Sequence, residues 1–455
     1  MKKFYNRETE LSALTNITNN IEKTKGRLSV LVGKRRVGKT RLLREAFFNH
    51  DKGQTIYLFI SRKHERLLVK EFSELIATEL NAKFFTPQSL RDIFEFLLDY
   101  SSREKLTVIV DEFQDIDRVN PALFSDLQNL WDTYKSSSNM HLICCGSMYN
   151  MMTKLFKNKD EPLLNRDDHF FHIKPLKPSY IKEIMEDNGI YNESRFLEYW
   201  CLSAGIPKYL EWLTSNIVND DDNVFEYVIS HSSPFLKEGR HRLIEDFGTE
   251  HQNYFDILNA ISRGKNTRSE IKDFVGFGVD VHLEKMESDF NVIVKSKPIS
   301  SKEGARDARF EIEDSFLIFW FKFIHSNTSA LAMDNYDYVK SHIERDFTTF
   351  SGWQLEALFK AILAESQQFN KIGSYWNAKG HDEIDIVALN ELEKRALIVE
   401  CKRQQSKYDE NKLINKSQSL IQKMKLQRYN IEYRGFSLDN INEVMQEFAP
   451  KKLHE

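Results

Sequence analysis

The residues from Leu28 to Phe48 read LSVLVGKRRVGKTRLLREAFF, and the other features of the N-terminal half can be placed relative to them. The apolar run from Leu28 to Val32 predicts a buried strand. The loop after it, Gly33 to Thr40, matches the pattern G-x-x-x-x-G-K-S/T at every fixed position. The residues that follow place apolar side chains at helical spacing. A strand, a glycine-bounded loop and a helix in this order predict a P-loop; the alternative is an ordinary glycine turn before a helix.

The loop carries the chemistry that is needed to hold a polyphosphate. Its glycines let the backbone wrap closely, so that N–H groups point inward, and the helix N-terminus adds a partial positive charge. We expect Lys39 to reach the β and γ phosphates of ATP and the Thr40 hydroxyl to bind Mg²⁺. The predicted ATP-binding residues of the loop are therefore Gly33, Lys34, Arg35, Arg36, Val37, Gly38, Lys39 and Thr40.

A second apolar run ends in two acids. Leu106 to Val110 predicts another buried strand, and Asp111 and Glu112 follow it directly. We expect Asp111 to hold the Mg²⁺ through water, as in P-loop enzymes generally. Glu112 is placed to orient or deprotonate the attacking water, which makes it the predicted catalytic base. The alternative is a turn after a core strand, with both acids solvated.

A third apolar run, His141 to Cys145, predicts a strand that ends near Ser147. If this strand neighbours the one that ends at Asp111, Ser147 would lie beside the γ phosphate and could act in catalysis as a phosphate sensor. The alternative is a small turn residue. Because strand candidates alternate with helix candidates along this part of the chain, we predict a parallel three-layer α/β domain.

Composition limits the classes of protein that need to be considered. The chain has 455 residues, which suffices for two or three domains. Its formal net charge of −4 excludes a uniformly basic nucleic-acid coat, so any contact with nucleic acid must be local. The four cysteines show no C-x-x-C spacing, which favours reduced thiols. A charged N-terminus and the lack of a membrane-length apolar run predict a cytoplasmic protein without membrane contact.

The order of these motifs resembles the archaeal-type ATPase family, a branch of the AAA+ and STAND P-loop ATPases. The resemblance reaches to about His325, and its matching segments are Phe4 to Leu11, Gly33 to Thr40, Val108 to Gln114, Cys144 to Ser147, Pro162 to Leu176, and Gly205 to Pro207. It implies ATP binding and hydrolysis by an AAA+-like domain with a helical lid. It also implies that Arg7 and Glu10 lie near the adenine and that Pro207 belongs to the nucleotide-binding part of the lid.

By the same resemblance, Arg166 falls where AAA+ proteins place a catalytic arginine finger. The family usually has glycine just before that arginine, whereas this sequence has Asn165. The alternative is a surface arginine that pairs with Asp167 or Asp168. Homo-oligomerisation, which an arginine finger commonly requires, is left open at this point.

A further pattern predicts a winged helix-turn-helix after the lid. Three short helices are followed by two strand candidates, Val292 to Lys295 and Arg309 to Glu313, with a polar loop from Ser296 to Asp307 between them. The residues from Thr267 to Glu270 form a capping box at the start of the second helix. The third helix is rich in acids that phosphates would repel, so we favour docking of a protein partner over DNA reading.

The last part of the chain places acids and a lysine on three elements. Glu356 lies in a predicted helix, Asp385 lies in a predicted strand, and Glu400 and Lys402 share one face of a second strand. If the two strands pair, Asp385 and Glu400 could hold Mg²⁺ for phosphodiester cleavage while Lys402 stabilises the developing charge. Because close acids repel, we expect both carboxyls to resist ionising without metal. The alternative is an ordinary hairpin with solvated acids.

This arrangement resembles the PD-(D/E)xK nuclease superfamily, in which Glu356, Asp385, Glu400 and Lys402 would be the catalytic set. Ile384 stands where the pattern's name has proline. The stretch from Cys401 to Arg434 adds nine Lys or Arg against three Asp or Glu. A basic face beside an acidic metal site suits a nucleic-acid backbone, although an exposed lysine-rich helix is the simpler reading.

The sequence thus predicts three domains: an ATPase domain with a helical lid at 1–215, a winged helix at 216–327 and a nuclease-like restriction-endonuclease fold at 328–455. We interpret the chain as an ATP-dependent switch that controls a Mg²⁺-dependent DNase. The rival interpretation is a regulatory ATPase that binds DNA or protein without cutting. A transcription factor that reads DNA through the winged helix is a third alternative.

Overall fold

The fold divides after Pro175. The computed structural model describes residues 3–48, 54–82, 85–219, 221–247, 251–301, 308–377 and 382–450. Contacts within the chain separate Met1–Pro175 from Leu176–Glu455. This division falls inside the predicted ATPase domain, so the helices that follow residue 176 belong to the same unit as the C-terminal part of the chain.

A parallel sheet forms the centre of the first unit. Its strand order is β2-β3-β4-β1-β5, with parallel pairing throughout. The strands are β1 (Arg27–Val32), β2 (Gln54–Phe59), β3 (Leu106–Asp111), β4 (Met140–Gly146) and β5 (His169–His172). β3 and β4 are buried along their whole length because their side chains are almost all apolar. The predicted α/β fold with a parallel core is confirmed.

Helices surround this sheet. They are α1 (Glu8–Asn19), α2 (Ile21–Thr24), α3 (Lys39–Phe47), α4 (Glu65–Glu79), α5 (Leu90–Ser101), α6 (Ile116–Val119), α7 (Leu123–Tyr134) and α8 (Tyr149–Lys157). The prediction that the third apolar strand neighbours the strand of Asp111 is also confirmed, since Val110 of β3 pairs with Cys144 of β4. The carboxyl ends of β1, β3 and β4 therefore meet at one edge of the sheet.

Sequence reasoning did not find β5. Its four residues, His-Phe-Phe-His, are all at least partly exposed, so they do not form a buried apolar run. The strand is positioned instead by the residue before it, because an Asp168 carboxylate oxygen accepts the Leu28 N–H at 2.9 Å. The same carboxylate binds Arg27 at 2.9 Å and Lys135 at 3.0 Å. An ion cluster thus holds the edge strand beside β1.

The second unit begins with helices and a two-stranded sheet. Its elements up to the long helix are α9 (Pro178–Asp187), α10 (Glu193–Ser203), α11 (Pro207–Asn216), α12 (Val224–Val228), α13 (Phe235–Phe247), α14 (His251–Ser262), α15 (Arg268–Val275), α16 (Asp280–Ser288), β6 (Ile293–Ser296), β7 (Arg309–Ile312), α17 (Ser315–Phe319) and α18 (Thr328–Ala332). We call α9 to α11 the lid helices. The predicted capping box is present, with Thr267 and Glu270 bonded reciprocally. β6 and β7 are antiparallel, and residues 302–307 of the predicted loop lie outside the described residues.

A mixed sheet of four strands follows. The elements are α19 (Tyr336–Glu365), β8 (Lys371–Trp376), β9 (Glu383–Asn390), β10 (Arg395–Lys402), α20 (Glu410–Met424), β11 (Asn430–Ser437) and α21 (Ile441–Glu447). The order is β11-β10-β9-β8, and only the β10–β11 pair is parallel. Tyr433 packs in the core beneath α20, whereas Phe436 contacts Phe359 of α19. The two helices therefore cover opposite faces of the sheet.

In the part of the chain that the structure describes, the helices lack the combination of length and apolar character that crossing a membrane requires.

Candidate functional site

The loop after β1 has a backbone that glycine makes possible. Gly38 has a φ of +99° and caps α3, and Arg36 is also left-handed, with a φ of +65°. A Cβ atom at Gly33 would lie 2.4 Å from the Ile173 carbonyl oxygen, so no larger residue fits there. The loop therefore adopts a tight path, as a phosphate cradle requires.

Lys39 lies across this loop. Its side chain is 8% exposed, and its ammonium donates to the Gly33 carbonyl at 2.8 Å and to the Lys34 carbonyl at 3.4 Å. The ammonium thus lies against the loop at the N-terminus of α3, where the helix also favours negative charge. Backbone amides, a helix N-terminus and a buried cation form a donor set that fits the phosphates of a nucleotide.

The metal-binding candidates Thr40 and Asp111 face each other. The Thr40 Oγ1 atom lies 3.5 Å from Asp111 Oδ2, and Asp111 Oδ1 accepts the Glu112 N–H at 3.0 Å. Asp111 is 6% exposed. The Tyr57 hydroxyl, which sequence reasoning missed, also donates to Asp111 Oδ2. A hydroxyl and a carboxylate are the oxygen ligands that Mg²⁺ prefers, so this pair fits the metal of a Mg²⁺–nucleotide complex.

Glu112 forms a hydrogen bond with Ser147, as expected from the pairing of β3 with β4. Its carboxylate Oε2 accepts the Ser147 hydroxyl at 2.8 Å and the Gln114 side-chain amide at 2.5 Å. Glu112 also has a left-handed backbone, with a φ of +52°, which strains a residue that carries a side chain. The Gln114 contact was not predicted from the sequence. The available signals were its position two residues after Glu112 and its place at the end of the matching segment Val108 to Gln114.

Arg7 lies beside the phosphate loop. It is 5% exposed, and its guanidinium donates to the Lys174 carbonyl at 2.7 Å and to the Val37 carbonyl at 3.4 Å. Glu10 lies 3.7 Å from the same guanidinium. The structure thus brings Arg7 and Glu10 together next to the loop. Their place beside the adenine stays a prediction.

Arg166 lies at the opposite edge of the sheet. It precedes β5, whose first residue pairs with the first half of β1, whereas the phosphate loop follows the end of β1. Its guanidinium lies 3.0 Å from Asp132, while Asp167 binds Lys157 at 2.5 Å. The alternative pairing with Asp167 or Asp168 is therefore wrong. A finger role for Arg166 would require a nucleotide that is bound to another copy of the chain.

Pro207, the remaining predicted nucleotide contact, lies in the second unit. It is the first residue of α11, where proline's fixed φ suits the helix start. The turn before it depends on Gly205, which has a φ of +77° and lies so close to Leu176 that a Cβ would meet the Leu176 carbonyl oxygen at 2.1 Å. Its contact with nucleotide stays a prediction.

Three elements of the second unit bring the other acids to one end of the mixed sheet. Asp385 of β9 accepts the Cys401 N–H of β10 at 2.7 Å, just beyond the last ladder pair, Ile386 with Val399. Glu400 is 5% exposed and binds the Lys402 ammonium at 2.9 Å. Glu356 approaches from α19, close enough for the Asp385 charge to perturb its titration. The four predicted residues therefore lie in one neighbourhood.

Lysines change the electrostatics expected for this neighbourhood. The pKa of Asp385 is raised in the predicted direction, although burial contributes more to the rise than repulsion from Glu400. Burial also acts to raise the pKa of Glu400, but hydrogen bonds and charge from Lys402 and Lys416 outweigh it and leave that pKa below its ordinary value. The expectation that Glu400 resists ionising is therefore wrong. The Lys416 ammonium, 3.2 Å from Glu400, comes from α20 and was not foreseen.

Oxygen ligands at this end of the sheet fit Mg²⁺ better than Zn²⁺, because Mg²⁺ commonly uses one or two carboxylates and keeps several waters. One oxygen of Asp385 is occupied by the Cys401 N–H, and one oxygen of Glu400 by the two lysines. Over residues 3–450, with the gaps given above, no group of three or more His, Cys, Asp or Glu side chains is placed to hold a metal ion. Any metal would thus rest on Asp385 and Glu400 with water.

The titration of Glu356 makes the stability of the folded chain depend on pH. Burial, and then the charge of Asp385, raise its pKa to about 8. Between the ordinary glutamate pKa and about pH 8, the folded chain therefore holds a proton that the unfolded chain releases, so stability falls as the pH rises through that window. We expect Glu356→Gln to remove this loss, raising the Tm more at pH 8.5 than at pH 5, in EDTA.

The matched control for this prediction is Glu344→Gln, at an exposed position of the same helix. Calorimetric melting of both variants and of the unmodified chain at the two pH values gives the comparison. An equal Tm change for Glu356→Gln at pH 5 and pH 8.5 would contradict the raised pKa.

Known proteins match most of the chain. Residues 4–213 match a family described as an ATPase domain predominantly from Archaea, and residues 320–414 match a family described as archaeal and bacterial proteins of unknown function. An uncharacterised protein of Methanocaldococcus jannaschii is 30% identical over 412 residues, which cover 88% of this chain and 87% of that protein.

A solved structure supports the same assignment at the level of the fold. A Walker-type ATPase of Pyrococcus abyssi superposes with a TM-score of 0.52 at 23% identity, covering 70% of this chain and 96% of its own. The P-loop, the parallel sheet and these matches agree, and the chain therefore belongs to the archaeal-type ATPase family.

Proposed function

We propose that this ATPase is an ATP-driven switch that controls Mg²⁺-dependent cleavage of DNA by its C-terminal part. The observation that carries the proposal is the meeting of Glu356, Asp385, Glu400 and Lys402 at one end of the mixed sheet. The proposal keeps three domains: the ATPase with its lid at 1–215, the winged helix at 216–327 and the nuclease-like domain at 328–455.

In the ATPase part, each polar group at the sheet edge receives a role. Lys39 holds the β and γ phosphates, Thr40 and Asp111 hold Mg²⁺, and Glu112 activates water. The hydrogen bond between Ser147 and Glu112 supports a sensing role for Ser147, because a γ phosphate near both would compete for the same hydroxyl. An arginine finger at Arg166 would act on the ATP of a neighbouring copy in an oligomer.

Lys39→Ala is expected to weaken ATP binding and to abolish hydrolysis. One charge-assisted contact contributes about 1.5–3 kcal/mol, which corresponds to roughly ten- to a hundredfold in affinity. Titration calorimetry with ATP and a phosphate-release assay measure the two effects. The control is Lys70→Ala, which removes an exposed lysine of α4 from the same unit. Unchanged turnover in the purified Lys39→Ala protein would refute the phosphate-loop assignment.

In the nuclease-like part, Mg²⁺ on Asp385 and Glu400 would supply an activated water and neutralise phosphate charge. The chain's own groups support this chemistry. Although burial opposes it, the Glu400 carboxylate raises the pKa of Lys402, so the ammonium stays charged and can hold a phosphate oxygen. The nearly uncharged Glu356, with its pKa of about 8, can accept or release a proton near neutral pH.

Contacts within the second unit support coupling of the lid helices to this site. The Asn442 side chain of α21 accepts the Lys182 ammonium at 2.7 Å and donates to Glu193 at 2.5 Å. Arg403, the residue after Lys402, donates to Ser351 of α19 at 2.6 Å. The charge of Arg403 also reaches Glu198 of α10, opposing the burial that raises the pKa of Glu198 to about 7. In the proposed switch, a movement of α10 would change the electrostatic environment of Arg403, the residue next to Lys402.

The winged-helix assignment rests on three helices followed by an antiparallel strand pair. Its proposed partner is a protein, because α16 is acidic and two large apolar side chains, one on α15 and one on α16, are exposed. Phe274 is 43% exposed and Val281 is 62% exposed. These apolar side chains offer area that a protein partner could cover, whereas the acids of α16 would repel DNA phosphates.

The second candidate is a regulatory ATPase that binds DNA or protein without cutting. The ion pairs of Glu400 with Lys402 and Lys416 favour it, because they compete with a metal for that carboxylate. A nuclease assay on linear, circular and branched DNA, with Mg²⁺ and with or without ATP, separates the candidates. Cleavage that depends on ATP supports the switch. The absence of cleavage under every condition leaves the binding protein.

A further inference from the structure

The carboxylate of Asp111 is held by groups from three elements. Its Oδ1 atom accepts the Glu112 N–H at 3.0 Å, and its Oδ2 atom lies 3.5 Å from the Thr40 hydroxyl. The Tyr57 hydroxyl of β2 donates to the same Oδ2 atom. Thr40 and Glu112 belong to the recognised motifs of the phosphate loop and the acidic strand, whereas Tyr57 belongs to neither.

The sheet explains how Tyr57 reaches this place. β2 and β3 pair in parallel, with Phe59 beside Asp111. Side chains two residues apart on a strand share a face, so Tyr57 lies on the same face as Phe59, one step back from the sheet edge. A phenol is long enough to carry its hydroxyl from there to the end of β3. The orientation of the Asp111 side chain at this edge of the sheet thus depends on β2, the neighbouring strand.

The chemistry of the phenol suits a permanent donor. A phenol ordinarily loses its proton only at about pH 10. The hydroxyl therefore keeps its proton throughout the physiological range. It can always donate to Oδ2, which retains a second lone pair for a metal ion or a metal-bound water.

We propose that Tyr57 is a positioning residue for ATP hydrolysis, which holds the Asp111 carboxylate in the orientation that, together with Thr40, receives the Mg²⁺ of Mg²⁺–ATP. The hydrogen bond removes the freedom of the carboxylate to rotate before the metal arrives. Outer-shell partners of this kind typically change metal affinity or activity by about 10- to 100-fold. This role concerns the ATPase reaction and does not depend on the proposed nuclease.

A different role for the same hydroxyl predicts the opposite effect. The Tyr57 and Thr40 hydroxyls both lie against Asp111 Oδ2, an oxygen that is a candidate to bind the metal. If the Tyr57 hydroxyl instead competed with Mg²⁺ for Asp111 Oδ2, removing it would free Asp111 and strengthen Mg²⁺ binding. Whether the loss of the hydroxyl weakens or strengthens Mg²⁺ binding therefore distinguishes a positioning role for Tyr57 from competition with the metal.

The test is Tyr57→Phe, which removes the hydroxyl and keeps the ring. Calorimetry with a non-hydrolysable ATP analogue should show unchanged affinity in EDTA. The Mg²⁺ concentration that gives half of the maximal metal-dependent affinity should rise by about 10- to 100-fold. Excess Mg²⁺ should restore kcat. Tyr100→Phe is the matched control, because it removes a hydroxyl that donates to Gln54 at 2.7 Å, at the far end of β2.

A second pair of variants tests whether Tyr57 acts through Asp111. In the Asp111→Asn background, Tyr57→Phe should cause no further change in Mg²⁺ dependence. Tighter Mg²⁺ binding by Tyr57→Phe would overturn the proposal, as would an equal loss of analogue affinity in EDTA, which would mean a structural role. If Tyr57→Phe weakened Mg²⁺ binding in the Asp111→Asn background as much as it does in the unmodified chain, the proposal would also be overturned, since Tyr57 would then act elsewhere.

Discussion

Glu112→Gln is expected to lower ATP turnover by roughly 10²–10⁴-fold, the usual size of a general-base effect, while ATP binding stays close to that of the unmodified chain. The amide lacks the basicity of the carboxylate. It keeps the oxygen that accepts the Ser147 hydroxyl at 2.8 Å and the Gln114 amide at 2.5 Å, so the local structure should persist. The variant should therefore trap the ATP-bound state.

Phosphate release and calorimetric ATP affinity, measured on the same preparation, test this expectation. The matched control is Asp117→Asn, which neutralises an exposed acid five residues further along the chain. If ATP binding by Glu112→Gln falls together with turnover, Glu112 is a metal ligand or a structural residue. The assignment of the base would then pass to another group.

Asp385→Asn is expected to remove DNA cleavage while leaving the fold intact or slightly more stable. Asparagine keeps an oxygen that can accept the Cys401 N–H, which donates to Asp385 Oδ2 at 2.7 Å in the unmodified chain. It removes a charge that burial disfavours, as the raised pKa of Asp385 indicates. It also removes one of the two proposed metal ligands. DNA binding should survive, because the basic residues after Cys401 are unchanged, and it should weaken with salt.

Cleavage and DNA binding of Asp385→Asn should be compared with the unmodified chain at several salt concentrations, with Mg²⁺ present. Glu391→Gln is the control, since Glu391 follows the other end of the same strand. Equal cutting by Asp385→Asn and the unmodified chain would mean that the chemistry lies elsewhere. Loss of DNA binding in Asp385→Asn would instead mean that the acid supports the binding surface.

Motifs with fixed spacing could be read from the sequence because the backbone itself imposes the spacing. The run from Leu28 to Thr40 requires a strand, a tight loop and a helix start, and the structure has all three. The acidic strand that ends at Asp111 was recognised for a similar reason, since a buried strand needs an unbroken apolar run. Both predictions use only neighbouring residues.

Contacts between distant residues could not be read in this way. Tyr57 and Asp111 are 54 positions apart, and the sequence holds no signal that pairs them until the strand order is known. Lys416 reaches Glu400 only because α20 packs across β10, and that packing depends on the whole mixed sheet. The pKa of Glu400 was therefore expected to move in the wrong direction.

The partners in surface ion pairs could not be predicted from the sequence either. Arg166 has acids directly after it in the sequence, yet its guanidinium binds Asp132, 34 positions earlier. Asp168 is used instead to hold β5 through Arg27 and Lys135. The basic stretch after Cys401 behaves similarly, since Arg434 binds Glu447 at 2.9 Å, and part of the positive charge counted from the sequence is thereby neutralised.

The contact between Asn442 and the lid helices constrains how the chain folds during its synthesis. Asn442 lies 260 residues after Lys182, an interval that a ribosome needs roughly 10–50 s to translate at ordinary rates. The first unit can complete its sheet once β5 has emerged. The lid helices cannot complete this contact before α21 is made, and α10, whose buried side chains include Phe196 and Trp200, packs against α17 and α19, which are also translated later. A nascent chain of this length therefore needs protection from aggregation over that interval.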